Sequence, residues 1–570
     1  MIHSSHQQPT TPSSNELQEQ TLSERLVENS TTEHFVRRLK GVCSHPHQDR
    51  SGISPFPMTS TPDEIGFRES DAQPKSSNYT YIPLESDNLR PKVLVKLPPH
   101  SYALYLLGQF ESFMGSDYHW YQKKRFRAQV DAIYDPSQSQ QIERTWLCCF
   151  SVVLALGESY NDTVAPSFLI DTRTGYSTDN AAPTDLDPLI PGIEFFKQAL
   201  LLLRPSYEEP TIDQVEALNL ITFYCYSLNR RKTAYAYAGM ALRLAELLGL
   251  SKPQTHLSPL EQEHRKRIWW TTICMDVMTC IELSLTPSHA SHEDGINLPD
   301  SSHLSAADAE QFSDPQYLTA QIKLCRIKFR IIRTVSELRF GDTAEAQALI
   351  EPCLQVLNNW RLELSPTLKF TEEGGFSDET LAFTPMRTVA SLMLRFNQCI
   401  ILLIRPLLLK QLHDIMHEQD VLMPRNDFAG ANTQCLQAAA DSTAVQFALS
   451  KCHKIAKFGF WDSLHIFSSL TVHVISERLI EKRPTAFATG RPNIPYGPVR
   501  GLLGEMARVG NAASKDHEKM IRDIEELFTE TPSNPVLTER IEDLVDWPEY
   551  MDTGNMSFEF DETFPSFGWS

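Results

Sequence analysis

Apolar residues recur at three- and four-residue spacing through most of the chain, from Pro98 to about residue 482. This spacing places the apolar side chains of each segment on one face of an α-helix, and we find no convincing alternating run that predicts a β-strand. Glycine is scarce, with 23 in 570 residues, about 4% against a usual share of about 7%, which disfavours turn-dense β architecture. The sequence therefore predicts a large, irregular all-α domain over residues 98–482.

Two consecutive helices can be predicted in detail, because their faces and ends are both marked. The helix predicted over Arg231–Leu248 is expected to bury one apolar stripe and to close at Gly249, where a left-handed residue ends a helix. That stripe consists of Ala234, Tyr235, Ala238, Leu242, Ala245 and Leu248. The next helix is predicted to begin after Ser258, which forms an S-x-x-E capping box with Glu261, and to run until Pro287. Similar periodicity predicts further helices at roughly 101–115, 118–134, 140–158, 191–203, 211–229, 314–340, 343–362, 379–410, 432–456 and 461–482.

The segments outside this domain have a different composition. Residues 1–85 are rich in Ser, Thr, Pro, Gln and His, and are predicted to be disordered because they can bury little apolar surface. Residues 483–535 are predicted to form a proline-rich linker with short helices. Residues 536–570 are predicted to form an acidic and aromatic tail.

The tail has the composition of an activation segment. Residues 541–570 contain eight Asp or Glu, no Lys or Arg, and seven aromatic residues. Acidic residues keep aromatic side chains solvated and ready for a hydrophobic groove on a partner protein. The anchoring residues are expected to be Trp547, Phe558, Phe560 and Phe564. A solubilising tail and a strand that docks back on the helical domain remain open alternatives.

The charge balance and the cysteines restrict the function classes. The chain has 52 Lys and Arg against 72 Asp and Glu, a net charge of −20 that repels DNA phosphates unless a basic module is segregated. No two of the eleven cysteines are separated by two residues, so there is no C-x-x-C hook for zinc or thiol–disulfide chemistry. A reducing, intracellular compartment is expected, and the N-terminus has no signal-peptide pattern. The longest apolar run, Cys399–Leu409, is broken by Arg405 and Pro406, so we expect no membrane span.

No catalytic constellation can be assembled from the chain. Glycine-rich phosphate loops and the G-x-S-x-G motif are absent. His413 and His417 have the spacing of a helical zinc pair, but the glutamate of H-E-x-x-H is an aspartate here and the third ligand is unidentified. Two other groups are weaker candidates for a metal site. Cys43, His45 and His47 lack a fourth ligand, and the acidic group Glu542, Asp543 and Asp546 lacks a second magnesium-binding motif. We therefore predict neither an enzyme nor a metal or cofactor held by this chain.

Two adjoining segments carry a resemblance to a known family. They are PTIDQVEALNLITFYCYSLNRRKTAYAYAGMALRLAELLGLSK at 210–252 and LSPLEQEHRKRIWWTTICMDV at 257–277. Both resemble the middle homology region of fungus-specific zinc-cluster transcription factors, and LRFNQCIILLIRPLL at 394–408 resembles a later segment of the same region. The motif residues of structural interest are Gly239, Arg243, Gly249, Arg265, Arg267, Trp269, Trp270, Asp276, Arg405 and Pro406. A departure is LTPS, which stands where the family usually has Gly-Arg-Pro.

The resemblance implies a nuclear transcription regulator of RNA polymerase II target genes, in which the helical domain restrains activation. The family normally begins with six cysteines that hold two zinc ions and a DNA-reading helix, whereas Cys43 is the only cysteine in the first 147 residues here. Either that module has been lost from the gene model, or this is a natural member without it. The chain would then contact promoter DNA only through the missing zinc module or through a partner protein. Zinc is expected only with that module.

Further partners follow from the same resemblance. A coactivator or the transcription machinery is expected to bind the tail, while a homodimer and a small-molecule effector remain open. The alternative function is a modulator without DNA binding that acts through protein association, and an all-α enzyme ranks third.

The basic and aromatic residues at 265–270 have two interpretations. They could form a nucleic-acid patch, or they could belong to the domain itself. Because these residues spread around a helix, we predict tryptophans in the core and arginines in a solvated or ion-paired rim. Glu261 and Glu263 are the expected partners of the arginines.

Overall fold

The computed structural model describes most of the chain between residues 95 and 529. The described ranges are 95–135, 143–160, 190–203, 207–254, 257–287, 297–338, 343–370, 385–416, 428–488, 492 and 494–529. The predictions of a disordered region at 1–85 and of an activation tail at 536–570 lie outside these ranges.

Within the described ranges the backbone forms α-helices, with two short 3-10 helices and no β-strand, so the all-α prediction is confirmed. The α-helices are α1 His100–Met114, α2 Lys123–Tyr134, α3 Arg144–Ser159, α4 Ile193–Leu202, α5 Ile212–Ser227, α6 Arg231–Leu247, α7 Pro259–Glu282, α8 Ala306–Ala309, α9 Pro315–Glu337, α10 Thr343–Leu362, α11 Met386–Met416, α12 Ala429–Lys451, α13 Phe460–Lys482, α14 Tyr496–Arg508 and α15 Ala512–Thr529. The 3-10 helices are Pro366–Leu368 and Pro484–Ala486.

The ends of α6 and α7 follow the sequence signals closely. Gly249 has a φ of 64°, and the Leu250 amide donates to the Ala245 carbonyl at 2.9 Å, which closes α6 as predicted. The Ser258 hydroxyl accepts a bond from the Glu261 amide at 3.2 Å and caps α7. Helix α7 ends at Glu282 rather than at Pro287, because Ser284 turns into the left-handed region with a φ of 56°.

The buried face of α6 differs from the prediction at Tyr235, and Leu248, just after the helix, is only partly buried. Ala234, Ala238, Leu242 and Ala245 are buried as expected. Tyr235 is 39% exposed, so its assignment to the buried stripe is wrong. The neighbouring helices determine whether a residue at the edge of an apolar stripe is buried or exposed. Here α5 and α7 pack against the alanine side of α6.

Helix α11 begins and ends later than the predicted range of 379–410. It continues through Arg405 and Pro406 to Met416, because its neighbours bury most of its surface and hold the helix across the proline. By length and composition α11 passes the test for a membrane span, which differs from the expectation, but 83% of its most apolar stretch is buried inside the protein. That burial is the property of a core helix.

The described helices bury two hydrophobic cores. The first core is built mainly by α1, α3 to α7 and the turn after α1, and its largest buried side chains include Phe110, Phe150 and Tyr224. The second core is built by α10 to α15 and by part of the surface of α9, with fully buried leucines such as Leu357, Leu403 and Leu470.

Helices α9 and α13 contribute to both cores and so form the seam between them. On α9, Ile322 belongs to the first core and Leu324 to the second. On α13, Phe460 belongs to the first core and Ile466 to the second. The seam is therefore built from shared helices rather than from a loop.

The two helices after the proline-rich segment pack on α13. Helix α15 contacts α13, and α14 contacts both of them. Leu503, Met506 and Ile521 lie in the second core. The helical body that the structure describes thus continues to Thr529.

Candidate functional site

Glu263 and Arg267 form a buried ion pair on successive turns of α7. The Arg267 Nε donates to Glu263 Oε1 at 2.7 Å, and both side chains are almost completely buried. Arg267 also donates to the Ser313 carbonyl at 2.7 Å and to the Ser301 hydroxyl at 2.9 Å. The prediction that Arg267 lies in a solvated or ion-paired rim is therefore wrong in its position, although the expected pairing with Glu263 is confirmed.

The two tryptophans of α7 lie in the core, as predicted. Trp269 is 0% exposed and Trp270 is 2% exposed. The Trp270 indole donates to the Asn297 carbonyl at 3.2 Å, and the Arg326 guanidinium lies 4.8 Å from its ring centroid. Arg265 remains nearer the surface and donates to the Leu248 carbonyl at 2.6 Å, which ties α7 to the end of α6. Neither indole can stack on a nucleic acid in this fold.

The remaining motif residues do not gather into one site. Arg243 is exposed on α6, and a Cβ at Gly239 would meet no atom within 4 Å, so nothing near that position requires a glycine. Asp276 is buried on α7, whereas Arg405 and Pro406 lie on α11, the arginine exposed and the proline buried. The four tail residues Trp547, Phe558, Phe560 and Phe564 lie outside the described residues.

A buried chain of titratable groups crosses the first core, and the sequence analysis did not find it. The His119 Nε2 lies 2.9 Å from the His264 Nδ1, and the His264 Nε2 lies 3.4 Å from Glu216 Oε1. Burial lowers the pKa of His264 to about 3 and raises the pKa of Glu216 well above its usual value. Both effects favour uncharged groups, which is how such side chains are tolerated in a core.

A pocket opens at the seam between the two cores. Its cavity volume is about 60 Å³. At about 10–15 Å³ for each water-sized group, it has room for a ligand of only a few non-hydrogen atoms. Helices α7, α9, α11 and α13 line it, together with Tyr118 from the turn after α1. Its apolar walls include Val277, Met278, Leu324 and Leu464.

The polar groups of this seam pocket are two cations and neutral side chains. Lys328 and Arg395 supply the positive charge, and the lining contains no Asp or Glu. His465 also lines the pocket, and burial together with the neighbouring charges of Arg395 and Lys328 holds its pKa well below the usual value. The Gln398 side chain is 4% exposed, and its Oε1 has no hydrogen-bond partner.

Three thiols complete the lining. Cys274 of α7, Cys325 of α9 and Cys399 of α11 lie in this lining. Burial raises the pKa of Cys399 to about 12, so this thiol is uncharged and acts as a small apolar group.

Two buried ion pairs stabilise the seam beside the pocket. Asp117 accepts bonds from Arg395 at 2.8 Å, from Ser391 at 2.9 Å and from Tyr317 at 3.1 Å. Arg387 of α11 binds Asp462 of α13 with two bonds of 2.9 and 3.0 Å. Because each pair joins α11 to a separate segment of the chain, the orientation of the Arg395 guanidinium in the pocket is determined by the packing of the seam.

The described residues offer no metal site. No group of three or more His, Cys, Asp or Glu side chains in the described ranges could hold a metal ion. His413 lies half-buried in the last turn of α11, and His417 lies outside the described residues. The cysteines present do not fit the paired C-x-x-C pattern that the zinc ions of the family would need.

Comparison with known proteins assigns the middle of the chain. Residues 167–364 match the family described as "Fungal specific transcription factor domain". The chain is thus similar to this family over its middle third. The match spans α4 to α10, so it includes α7 and α9 of the seam pocket and leaves out α11 and α13.

Curated relatives extend the similarity. An uncharacterized transcriptional regulatory protein of Schizosaccharomyces pombe is 24% identical over 455 residues, which are 78% of this chain and 52% of that protein. The fusaridione A cluster transcription factor of Fusarium heterosporum is 23% identical over 56% of this chain and 57% of its own length. "Activator of stress genes 1" of Saccharomyces cerevisiae is 24% identical over 41% of this chain and 24% of its own length. The chain spans about half the length of the first two relatives, and all three names describe regulation rather than catalysis.

Proposed function

We propose that this chain is a nuclear transcription regulator that controls RNA polymerase II target genes through its helical body. The match of residues 167–364 to the fungal transcription factor domain carries the proposal, because that match covers α4 to α10 and so includes helices of both cores. The curated relatives, named as transcription regulators, support the same function.

The helical body acts as a regulatory domain. Because the whole chain has a net charge of −20, it does not read DNA by itself, so promoter contact comes from a zinc module or a partner protein. Residues 536–570 supply the contact with a coactivator, and the helical body restrains that contact.

A tethering experiment tests the proposal. Residues 536–570 and the full chain are each fused to an unrelated DNA-binding domain and placed before a reporter gene. We expect the short fusion to raise reporter output at least about tenfold, and the full chain to raise it less, because the helical body restrains the tail. A variant of the short fusion with Trp547, Phe558, Phe560 and Phe564 changed to Ala is the control, and we expect it to be inactive. If neither fusion changes reporter output, the chain is not a regulator of this kind.

A modulator without DNA binding is the second candidate, favoured by the negative charge and the lack of paired cysteines. It would act through protein association, including self-association as a homodimer. This candidate is supported if the purified full chain holds no stoichiometric zinc and does not shift promoter DNA. In cells, the chain should then occupy promoters only when a partner is present. Two zinc ions per chain with direct DNA binding would contradict it.

A further inference from the structure

We propose that the seam pocket binds a small hydroxylated monocarboxylate with a compact apolar body. The pocket is the cavity of about 60 Å³ lined by α7, α9, α11, α13 and Tyr118. The binding stands on the geometry of the pocket alone, whereas its role as an effector site rests on the proposed function.

The charges of the pocket call for an anion. The lining carries Lys328 and Arg395 and no carboxylate. Arg395 uses one amino group for Asp117, while its Nη1 is buried without a hydrogen-bond partner. Lys328 makes no ion pair within 4 Å with any described residue. A ligand carboxylate can accept bonds from both side chains, and charge-assisted bonds of this kind are among the stronger polar contacts.

The surroundings limit that anion to a single carboxylate. Asp117 already balances part of the Arg395 charge, and Glu282 at the end of α7 acts on Lys328 from outside the lining. A second ligand carboxylate would therefore be buried without a cation to pair with, which is costly. An amino acid is disfavoured for the complementary reason, because the lining offers no carboxylate to pair with its ammonium group.

A hydroxyl group satisfies the remaining polar atom. Gln398 donates through Nε2 to the Ser468 hydroxyl at 3.1 Å, which leaves its Oε1 without a partner although the side chain is 96% buried. An unsatisfied buried acceptor costs about 1–3 kcal/mol, so a ligand that donates to it gains affinity. The uncharged His465 can add a further bond as donor or acceptor.

The rest of the lining fits an apolar body. Val277, Met278 and Ile281 of α7 face Leu324 of α9 and Leu464 of α13 across the pocket. The Trp461 ring and the uncharged Cys399 thiol extend this surface. Burying such a body removes apolar surface from water at about 25 cal/mol per Å².

A ligand bound in the seam pocket would contact helices of both cores at once. The lining comes from α7 of the first core, α11 of the second and the shared helices α9 and α13. A carboxylate bound to Arg395 competes with Asp117, which also accepts bonds from Tyr317 and Ser391. Binding thus redistributes the contacts that hold α9 and α11 to the turn after α1.

The binding test uses purified full-length chain and titration calorimetry with lactate as the probe, because lactate carries one carboxylate, one hydroxyl and one methyl group. We expect binding with a Kd below about 1 mM, and binding at least about tenfold weaker for lactamide, which has the same shape without the charge. Lys328→Met should weaken binding of the acid at least about tenfold, because it removes one cation and keeps the length of the side chain.

The matched control is Lys323→Met on the same helix. Lys323 pairs with Glu363 at 3.4 Å on the surface and does not line the pocket, so we expect unchanged binding. Thermal unfolding of both variants confirms that each is folded. No binding to the folded wild-type chain, equal binding of acid and amide, or equal loss in the two variants would overturn the proposal.

A reporter assay separates this proposal from the proposed function. In cells that carry the tethered full chain, the probe should change reporter output for the wild-type chain and for Lys323→Met but not for Lys328→Met. Binding without a reporter response supports the site and contradicts its effector role. Reporter activity without probe binding supports the regulator and contradicts the site.

Discussion

The two cores stabilise the protein by different means. In the first core, stacked rings such as Tyr121 and Phe126, with centroids 3.9 Å apart, accompany buried charge such as the Glu263–Arg267 pair. The second core is mainly aliphatic and includes neutral buried contacts such as the reciprocal amide bonds between Gln411 and Asn432, while the Arg387–Asp462 ion pair lies at the seam. Stacked rings and ion pairs require a specific relative orientation of their side chains, whereas aliphatic side chains of similar volume can replace one another at a small cost in stability. The first core is thus expected to tolerate fewer substitutions.

The largest expected effect comes from removing the two tryptophans of α7. Changing Trp269 and Trp270 together to Ala creates cavities in the first core, and each removal costs about 3–5 kcal/mol. We expect insoluble or protease-sensitive protein, measured by limited proteolysis at several temperatures.

Trp360→Ala in the second core is the matched variant, since Trp360 is also buried and stacks on Phe396 at 5.6 Å. We expect it to leave the first core resistant to protease. A double Trp269 and Trp270 variant with an unchanged melting temperature and altered DNA binding would instead support the nucleic-acid patch that this structure contradicts.

The next effect tests the buried ion pair. Glu263→Gln leaves the Arg267 guanidinium buried without a charged partner, which we expect to lower the free energy of unfolding by about 3 kcal/mol. Urea unfolding followed by tryptophan fluorescence measures the change.

Glu261→Gln on the same helix is the control. Its 3.9 Å pair with Arg265 is partly exposed, so we expect a change of at most about 0.5 kcal/mol. Equal losses in the two variants would show that burial of the Glu263–Arg267 pair does not distinguish the first core.

A smaller effect is expected in the second core. Leu403→Met conserves volume at a fully buried site of α11, and we expect it to cost less than about 1.5 kcal/mol. Leu218→Met is the matched change at a fully buried site of the first core, and we expect a larger loss there, because rings and polar groups surround it. The midpoints of urea unfolding of the two variants measure the two losses of stability. A larger loss for Leu403→Met than for Leu218→Met would contradict the expectation that the first core tolerates fewer substitutions.

The sequence correctly predicted the features that depend on residues close to one another along the chain. Periodicity located the helices, Gly249 and Ser258 marked their ends, and the apolar context placed Trp269 in the core. It failed where distant segments decide the outcome. Arg267 is buried because Ser301 and Ser313 come back to bind it, and no local pattern shows that return of the chain.

The seam pocket was beyond prediction for the same reason. Its lining residues come from four helices spread over more than 180 positions of the sequence, from Cys274 to His465, with Tyr118 further away still. Each of these helices looks like an ordinary amphipathic segment. The single local hint was an arginine within the apolar stretch of α11, at Arg395, where a purely structural helix would carry an apolar residue.

The smallest predicted effect concerns acid, and it follows from the buried histidines of the first core. Burial holds the pKa of His264 at about 3 and the pKa of His119 well below its usual value. Between pH 6.5 and 3 the unfolded chain therefore binds more protons than the folded one, so stability is complete above pH 6.5 and is lost as the pH falls. Glu216 acts in the opposite direction above pH 4.5, because its raised pKa keeps a proton that the unfolded chain releases.

Hydrogen exchange of α7 and α12 can measure this local loss. After correction for intrinsic exchange rates, acidification from pH 7 to 5.5 should reduce the protection of α7 peptides by about 1 kcal/mol, since a proton bound only by the unfolded state is worth up to about 1.4 kcal/mol per pH unit. Helix α12, which contains no histidine, should change less. Glu216→Gln removes the opposing contribution and keeps a hydrogen-bond donor for His264, so the loss in α7 should become steeper. Equal losses in α7 and α12, or a shallower loss in the variant, would show that the His119–His264 chain does not govern the acid response of the first core.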